Sequence, residues 1–389
     1  MKQPLLSAYI VIVVLLSSAC GGRSKTSSVI GAASDTLVFR YAENIQVIKH
    51  TDFTEVNLRN PWDTLKTLHT YLLVDKNGNK ENKLPTELDK RPTEPDNLPQ
   101  GTVVRVPLEN ALVYSSVHCS LFKDLQSLSS IAGVCDLAYI RMPEIQEGCK
   151  NGSITDCGSS MKPDIERIIE RSPDAILLSP FENSGGYGRI EKLGTPIIEC
   201  ADYTETSPLG RAEWMRFFGM LTGKEQVADS LFAEIEKEYV SLKQPAAARP
   251  TVITEMKMGS AWYVPGGKST VARLLQDAGA RYLFADNASS GSVPLSFETV
   301  FDKGQHADFW LIKYNQQTDK KYSEIASDYA PYQHFDAWKD QHIYGCNTSK
   351  VSFYEESPFH PERLLKDLIK IFHPELLPDY ELVYYSPLK

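Results

Sequence analysis

The sequence predicts an α/β protein: two doubly wound α/β lobes joined by one long rigid helix, with a β-rich N-terminal extension. Three observations lead there. Short apolar runs alternate with amphipathic stretches in two separate series, the pattern of parallel β/α units. One βα unit of the first series is echoed in the second. Between the series lies KEQVADSLFAEIEKEYVSLK, where Val227, Leu231, Ile235 and Tyr239 recur every four residues and give a helix one apolar face.

Taken in order, the chain opens with Lys2 and a stretch from Leu5 to Leu16 that is apolar apart from Ser7. A membrane-spanning helix needs about 20 apolar residues. This shorter run, followed by Ser17, Ser18 and Ala19, marks residues 1–19 as a signal peptide. Cys20 directly after it resembles a bacterial lipobox, which implies cleavage before Cys20 and acylation of its thiol. Ser17 departs from the large aliphatic residue usual at that place, and an ordinary signal peptide with a chance cysteine is the rival reading. Residues 20–34, rich in Gly, Ser, Ala and Thr, read as a lipid tether. Residues 35–107 form the extension: β-like runs over 36–75, then a polar, proline-rich stretch at 76–101 that is loop by composition.

The strand-helix rhythm starts with TVVRVPL and fills a first lobe at 108–223. NALVYSS, IAGVCD, DAILLSP and PIIECA read as strands. Helices are expected near Leu121–Leu128 and at 164–171, GRIEKLG is helix-compatible, and RAEWMRFFGMLTG reads as one helix stopped by Gly223. The linking helix occupies 224–243 and ends where Lys-Gln-Pro-Ala-Ala-Ala-Arg-Pro breaks the pattern. A second lobe at 244–389 begins with the strand TVITEM. It continues with a helix from Ser269 to Ala278 stopped by Gly279, a helix at 296–303, the strand ADFWLIKY and a last helix from Pro361 to Phe372. The echo joins DIERIIERSPDAILL (164–178) to SFETVFDKGQHADFWLI (296–312). Each opens on an N-cap residue, Asp164 or Ser296, and runs into an Asp-led buried strand. Chance likeness between two amphipathic units is the alternative.

The formal net charge of −9 argues against a nucleic-acid surface. Six cysteines follow Cys20, an even number that fits up to three disulfides in an exported protein. Cys149 and Cys157, flanking CKNGSITDC, are the disulfide candidate. Zinc is the rival, although their spacing fits no common ligand pattern.

Glu166 and Glu298 hold equivalent places in the first turns of the echoed helices. The helix dipole favours acids there by a few tenths to about 1 kcal/mol; the functional alternative is docking of one carboxylate per lobe on a partner's arginines. Carboxylates on separate lobes do not meet the spacing of about 5–10 Å that paired acid-base chemistry requires. GGKST (266–270) lacks the Walker glycine, since Trp262 stands in its place, and reads as a turn into the N-cap Ser269. SPFENSGGYG lacks the spacing of a dinucleotide fingerprint. No HExxH, nucleophile elbow or CxxC occurs.

Aromatic residues gather at predicted strand ends, where open α/β sheets bind ligands: Tyr114, Tyr139, Phe181, Tyr203, Trp262, Tyr263, Tyr314 and Tyr354. Tyr187 and Phe353 share the placement. Rings at such positions cover a flat or conjugated ligand. Those eight, with His118, are the ligand-cleft candidates; packing is the alternative for any one ring, and a structural role for the histidine.

The segments RVPLENALVYSSVHCSLFKDL, IAGVCDLAYI, KPDIERIIERSPDAILLSP, IEKLGTPII, LGRAEWMRFFGMLTGKEQVADSLFAEIEKEY and VPGGKSTVARLLQDAGARYLF, in this order and spacing, resemble the periplasmic substrate-binding proteins for cobalamin and iron-siderophore complexes. The resemblance covers roughly 108–372 and implies no catalysis and no intrinsic cofactor. It implies a monomer whose ligand is an iron chelate (siderophore), haem or corrinoid, and whose partners are an ABC permease and its ATPase. Glu166 and Glu298 match the glutamates that pair with permease arginines. With Cys20, it implies a membrane-anchored lipoprotein in the periplasm or otherwise outside the cytoplasm. The alternatives are a lipid-anchored enzyme or chelatase on the same fold, with His118 and Glu182 near a metal, and a surface receptor that stores its ligand without a permease. Residues 36–100 fall outside the resemblance.

Overall fold

The computed structural model describes residues 35–76, 98–182, 186–243 and 249–389. The expected signal peptide, Cys20 and the tether lie outside them. The extension is a five-stranded sheet. β1 (Asp35–Leu37), β2 (Ile45–Lys49), β3 (Thr54–Arg59) and β4 (Thr67–Asp75) run as an antiparallel meander, and β5 (Thr102–Val106) adds parallel to β4. TVVRVPL therefore closes this sheet rather than opening the first lobe. Val104 lies opposite Leu73, and both are buried. Strand alternation puts Ile45, Val47, Val56 and Leu58 in the core.

In the first lobe β6 (Ala111–Val113) leads to α1 (Ser116–Asp124), β7 (Ile131–Val134), α2 (Pro143–Asn151) and β8 (Thr155–Asp156). A hairpin of β9 (Gly158–Ser159) and β10 (Lys162–Pro163) precedes α3 (Ile165–Arg171), β11 (Ala175–Leu178) and β12 (Ile197–Glu199). The main sheet is parallel, in the order β12-β11-β6-β7-β8. α1 starts earlier than expected because the Ser115 side chain accepts from Val117 N, and Gln126, at φ 55°, turns the chain away soon after it ends. GRIEKLG yields only a 3₁₀ turn at Glu191–Leu193. RAEWMRFFGMLTG is divided at Trp214 between α4 (Pro208–Glu213) and α5 (Met215–Thr222). Gly223, at φ 65°, caps α5 as the sequence predicts, and α6 (Glu225–Leu242) follows.

The second lobe runs β13 (Thr251–Thr254), β14 (Lys257–Met258), β15 (Ala261–Pro265), α7 (Thr270–Asp277), β16 (Arg281–Tyr282), β17 (Ser292–Leu295) and α8 (Phe297–Gly304). β18 (Phe309–Tyr314), α9 (Tyr322–Asp328), α10 (Asp336–Lys339), β19 (Ile343–Asn347), α11 (Phe353–Glu356), α12 (Pro361–Phe372) and β20 (Ser386–Pro387) complete it. Its main sheet has the order β16-β13-β18-β19-β20, with only β20 antiparallel, and β14-β15-β17 form a small antiparallel sheet. The echoed units hold matching places. In each lobe the first strand, β6 or β13, is flanked by the second, β7 or β16, and by the strand that follows the echoed helix, β11 or β18. The likeness seen in the sequence is a likeness of topology.

Buried carboxylates seat the extension on α4–α6. Glu213, fully buried, accepts hydrogen bonds from the backbone N–H groups of Arg40 (2.9 Å), Tyr41 (2.8 Å) and Ala42 (3.0 Å). Glu205 accepts from Glu43 N, Asn44 N and Trp214 Nε1, and burial pushes its carboxyl above the ordinary range. Gly210 permits the approach, because a Cβ there would stand 2.6 Å from the Tyr41 carbonyl oxygen. Tyr71 extends the contact by accepting from Glu199 N at the end of β12.

The expected Cys149–Cys157 bridge is absent: both thiols are free. The first lobe's sheet separates them. Cys157 packs with Leu112, Cys135 and Ile176 on one face, whereas Cys149, near the end of α2, packs against the core on the other. Burial pushes the Cys157 thiol up to about 11 and that of Cys119 to about 12, which keeps both protonated and unreactive at neutral pH.

Candidate functional site

Both main sheets end at their carboxyl edges in a concavity. The first, about 430 Å³, is lined by Tyr114 just after β6, by Leu178, Ser179 and Phe181 at and after β11, and by Met161, Tyr187 and Ile190. The second, about 610 Å³, is lined by Glu255, Met256, Lys257 and Met258 after β13, Tyr263 of β15, Lys313 of β18 and Tyr354 of α11. They border one seam. α11 packs against α1, while Ser115, the cap of α1, lines the first concavity and Tyr354 lines the second. His360, buried at the start of α12, fastens that seam: Nε2 lies 3.1 Å from Asp124 Oδ2 of α1 and Nδ1 lies 3.0 Å from Glu362 Oε1. Burial works against its charge, but the hydrogen bonds to Asp124 and Glu362 prevail and raise it to about 9.

Four of the nine candidates from the sequence line these walls: Tyr114 and Phe181 in the first, Tyr263 and Tyr354 in the second. Burial and the neighbouring Cys135 thiol push the Tyr114 phenol up, so it stays protonated. Tyr139, exposed on the turn after β7, and Tyr203, whose hydroxyl donates to the Pro180 carbonyl, line neither. Three candidates belong to the core. Trp262 is fully buried, stacks on Trp310 with ring centroids 5.6 Å apart and donates from Nε1 to Thr254 O. Tyr314 is buried too, and its hydroxyl accepts from Lys320 N. His118, 2 % exposed, lies 2.8 Å through Nε2 from Asp202 Oδ1 and stacks on Phe218. Asp202 is buried, which disfavours its charge, yet His118 and Arg211 hold its carboxyl below the ordinary range. That buried network contributes to packing, and His118 reaches no cleft. Glu182 lies on the exposed surface. Among the described residues no group of three or more His, Cys, Asp and Glu is placed to hold a metal ion.

Strand alternation decides which residue of each pair faces the ligand side. In β15, Trp262 points into the core and Tyr263 outward. In β18 Tyr314 packs inward, and Lys313 before it lines the wall, ion-paired with Glu255 and 5.7 Å from the centre of the Phe353 ring. Burial acts to lower the Lys313 ammonium, but Glu255 outweighs it and holds it above its ordinary value. Lys313, Glu255 and Lys257 are absent from the sequence-derived candidates. For Glu255 and Lys257 the signal is TEMKM, the run at and after the end of an interior strand of its sheet, where α/β ligand sites form. GGKST proves to be a packing device: a Cβ on Gly266 or Gly267 would come within 2.2 Å of the carbonyl oxygen of Ser289 or Ala285.

Glu166 and Glu298 are exposed in the first turns of α3 and α8, whose caps Asp164 and Ser296 accept from backbone N–H groups of the same turn. The N–H of Glu298 and the Ser296 hydroxyl hold the Glu298 carboxyl below its ordinary range.

Known proteins share this architecture. A family model described as "Periplasmic binding protein" matches residues 130–349, more than half of the chain. The uncharacterized lipoprotein MJ0878 of Methanocaldococcus jannaschii is 26% identical over 356 residues, covering 87% of this chain and 83% of the relative. That span exceeds the two lobes and reaches into the extension. Among solved structures, an ABC-type Fe3+-hydroxamate transport system from Saccharomonospora viridis aligns with TM-score 0.54 and 16% identity, covering 69% of this chain and 94% of that one. The periplasmic heme binding protein HutB of Vibrio cholerae aligns with TM-score 0.53 and 14% identity, covering 66% of this chain and 98% of that one. Both show the fold of the lobes.

Proposed function

The chain belongs to the periplasmic binding protein family, and from that premise we propose that it is a lipid-anchored receptor delivering an iron chelate, haem or corrinoid to an ABC permease. One observation carries the reading: two equivalent sheets each end in an aromatic-bearing concavity, and the two concavities border the α1–α11 seam. Ligands of α/β sheets bind outside the carboxyl ends of the strands, and rings on both walls suit a large conjugated or chelated cargo. Names of similar solved proteins, a heme binder and an Fe3+-hydroxamate system, point to the same cargo class. The continuous helix α6 between the lobes restricts closure to a small movement. Glu166 and Glu298 present one carboxylate per lobe to permease arginines, and acylated Cys20, as in relatives named lipoproteins, keeps the receptor at the membrane.

The test is titration of the purified chain with haem, cyanocobalamin and a ferric hydroxamate, read by absorbance and thermal unfolding. Saturation at 100 times Kd stabilises the folded state by about 2.7 kcal/mol, a rise of several degrees. A response to one of the three supports the reading; no shift with any of them overturns it.

A further inference from the structure

The extension reaches the wall of the first concavity. Its strand β4 runs against the direction of the first lobe's sheet: Lys76, just past its end, pairs with Asp174 just before β11 (2.9 Å), and Tyr71 accepts from Glu199 N at the end of β12 (2.8 Å). His69 lies two residues before Tyr71, so the pleat puts both side chains on one face of β4, and their rings stack 4.3 Å apart. That face meets Glu199, which is 8 % exposed.

Glu199 divides its two oxygens between the cleft and the extension. Oε1 accepts from the Tyr187 hydroxyl at 2.6 Å, and Tyr187 lines the first concavity. Oε2 is enclosed, accepts no well-aligned hydrogen bond from a described residue, and faces His69 Nδ1 at 3.4 Å. A buried carboxyl oxygen needs a donor. This selects the His69 tautomer with its proton on Nδ1 and leaves Nε2 to meet the Thr102 hydroxyl of β5 at 2.7 Å. Tyr187 depends on such an anchor. It lies outside the helices and strands, between Gly186 (φ 106°) and Gly188 (φ 62°), two left-handed positions where the backbone has little preference of its own. Its N–H donates to Glu191 and its hydroxyl to Glu199, and the second bond sets where the ring points.

We infer that the β-rich extension is part of the ligand site, with His69 as a positioning residue that fixes the Tyr187 ring on the cleft wall through Glu199. The inference rests on the proposed role as a receptor and gives the extension a place in it. His69 itself touches no cargo. It supplies the donor that Oε2 lacks, so the carboxyl keeps one orientation and the Tyr187 hydroxyl keeps one acceptor. Without that donor the carboxyl turns to satisfy Oε2 elsewhere, and a ring hinged between two glycines leaves its place. A ring ordered in advance loses less freedom when the cargo arrives.

The experiment has one readout without cargo and one with it. Fluorotyrosine is placed at position 187 of the full mature chain, and its fluorine NMR resonance is recorded in the parent, in His69→Leu and in His69→Asn, whose amide offers a donor near the place of Nδ1. A single resonance is expected in the parent, a displaced or broadened one in His69→Leu, and recovery in His69→Asn. Affinity is then measured for haem, cyanocobalamin and a ferric hydroxamate. For the probe that binds, His69→Leu is expected to lose about fivefold, the loss of one well-placed ring contact, and His69→Asn to restore most of it. In a Tyr187→Phe background, where the anchor is already gone, His69→Leu is expected to change affinity no further, an outcome that general loosening of the fold does not produce. If the resonance ignores His69→Leu, if it moves while affinity does not, or if affinity falls equally in both backgrounds, the inference is overturned and the receptor reading stands. If none of the three probes binds, the receptor reading fails and the inference falls with it.

Discussion

The two lobes share a strand order around their first strands and diverge in the walls they raise at the carboxyl ends. Among the described residues, the first lobe lines its concavity with neutral and aromatic groups; the second sets the Lys313–Glu255 ion pair among hydroxyls. The common order of the sheets fixes where the walls stand and where Glu166 and Glu298 emerge. The residues just after each strand decide which chemistry those walls recognise. On the proposed function, a repeated scaffold supplies symmetry for docking and asymmetry for the ligand, and each half of that statement is open to test.

Docking carries the largest expected effect. Reversing both glutamates, Glu166→Lys and Glu298→Lys, is expected to lower transport in reconstituted vesicles by more than a hundredfold, with ligand affinity unchanged and only a small fall in unfolding temperature, since both side chains are exposed and the dipole disfavours a cation in a helix's first turn. Equal partial losses in the two single reversals sharpen the symmetry. Full transport by the double variant removes these residues from docking.

Next comes the contrast between neighbours on β15. Trp262→Ala is expected to destabilise the chain by about 3–5 kcal/mol, because it empties a fully buried site where Trp262 stacks on Trp310 and meets Tyr332 and Phe335. Tyr263→Ala, one residue on and partly exposed, is expected to cost under about 1 kcal/mol in the same urea titration. Similar losses from both mean that β15 does not divide core from cleft.

The same strand shows how far the sequence carries. Alternating and periodic patterns yield the strands, the linking helix and the echoed units, because burial on one face is written directly into residue spacing. Cleft membership is harder to read. Trp262 and Tyr263 are both aromatic at one strand end, and only the pleat separates core from wall. Tyr314 stands out in the sequence for its ring, yet its neighbour Lys313 faces the cleft, since its partner Glu255 lies 58 residues away in sequence. His118 meets Asp202 from 84 residues away, a pairing that turns an apparent ligand into a core residue. Long-range partners decide these cases, and no local pattern contains them.

The seam between the lobes has a pH dependence of known sign. His360 titrates near 9 in the folded chain against an ordinary value of 6.5, so folding raises its affinity for a proton. Its contribution is therefore fully present below pH 6.5 and disappears as pH rises through 9, on the order of 3 kcal/mol in all. Asp124 and Glu362 supply the attraction and Arg363 opposes it. Urea unfolding between pH 6 and 10 is expected to show the decline, and His360→Gln to flatten it. A decline of the same size in the variant assigns the effect to other groups.

The smallest effect tests the walls themselves. Phe181 after β11 and Tyr263 on β15 are both about half exposed, one in each concavity, and neither is needed for the core. Truncating a ring that lies on a conjugated ligand removes about 1 kcal/mol of contact, a loss of about fivefold in affinity. If one cargo spans the seam, Phe181→Ala and Tyr263→Ala each weaken the ligand identified by titration, and the double variant loses about the sum, because the two rings touch opposite parts of the same molecule. If the cargo occupies one lobe, only that lobe's variant changes affinity and the other binds as the parent does. Isothermal titration of the three variants separates these outcomes. An effect confined to one ring would make the other lobe's concavity a surface that closes over the ligand rather than one that selects it.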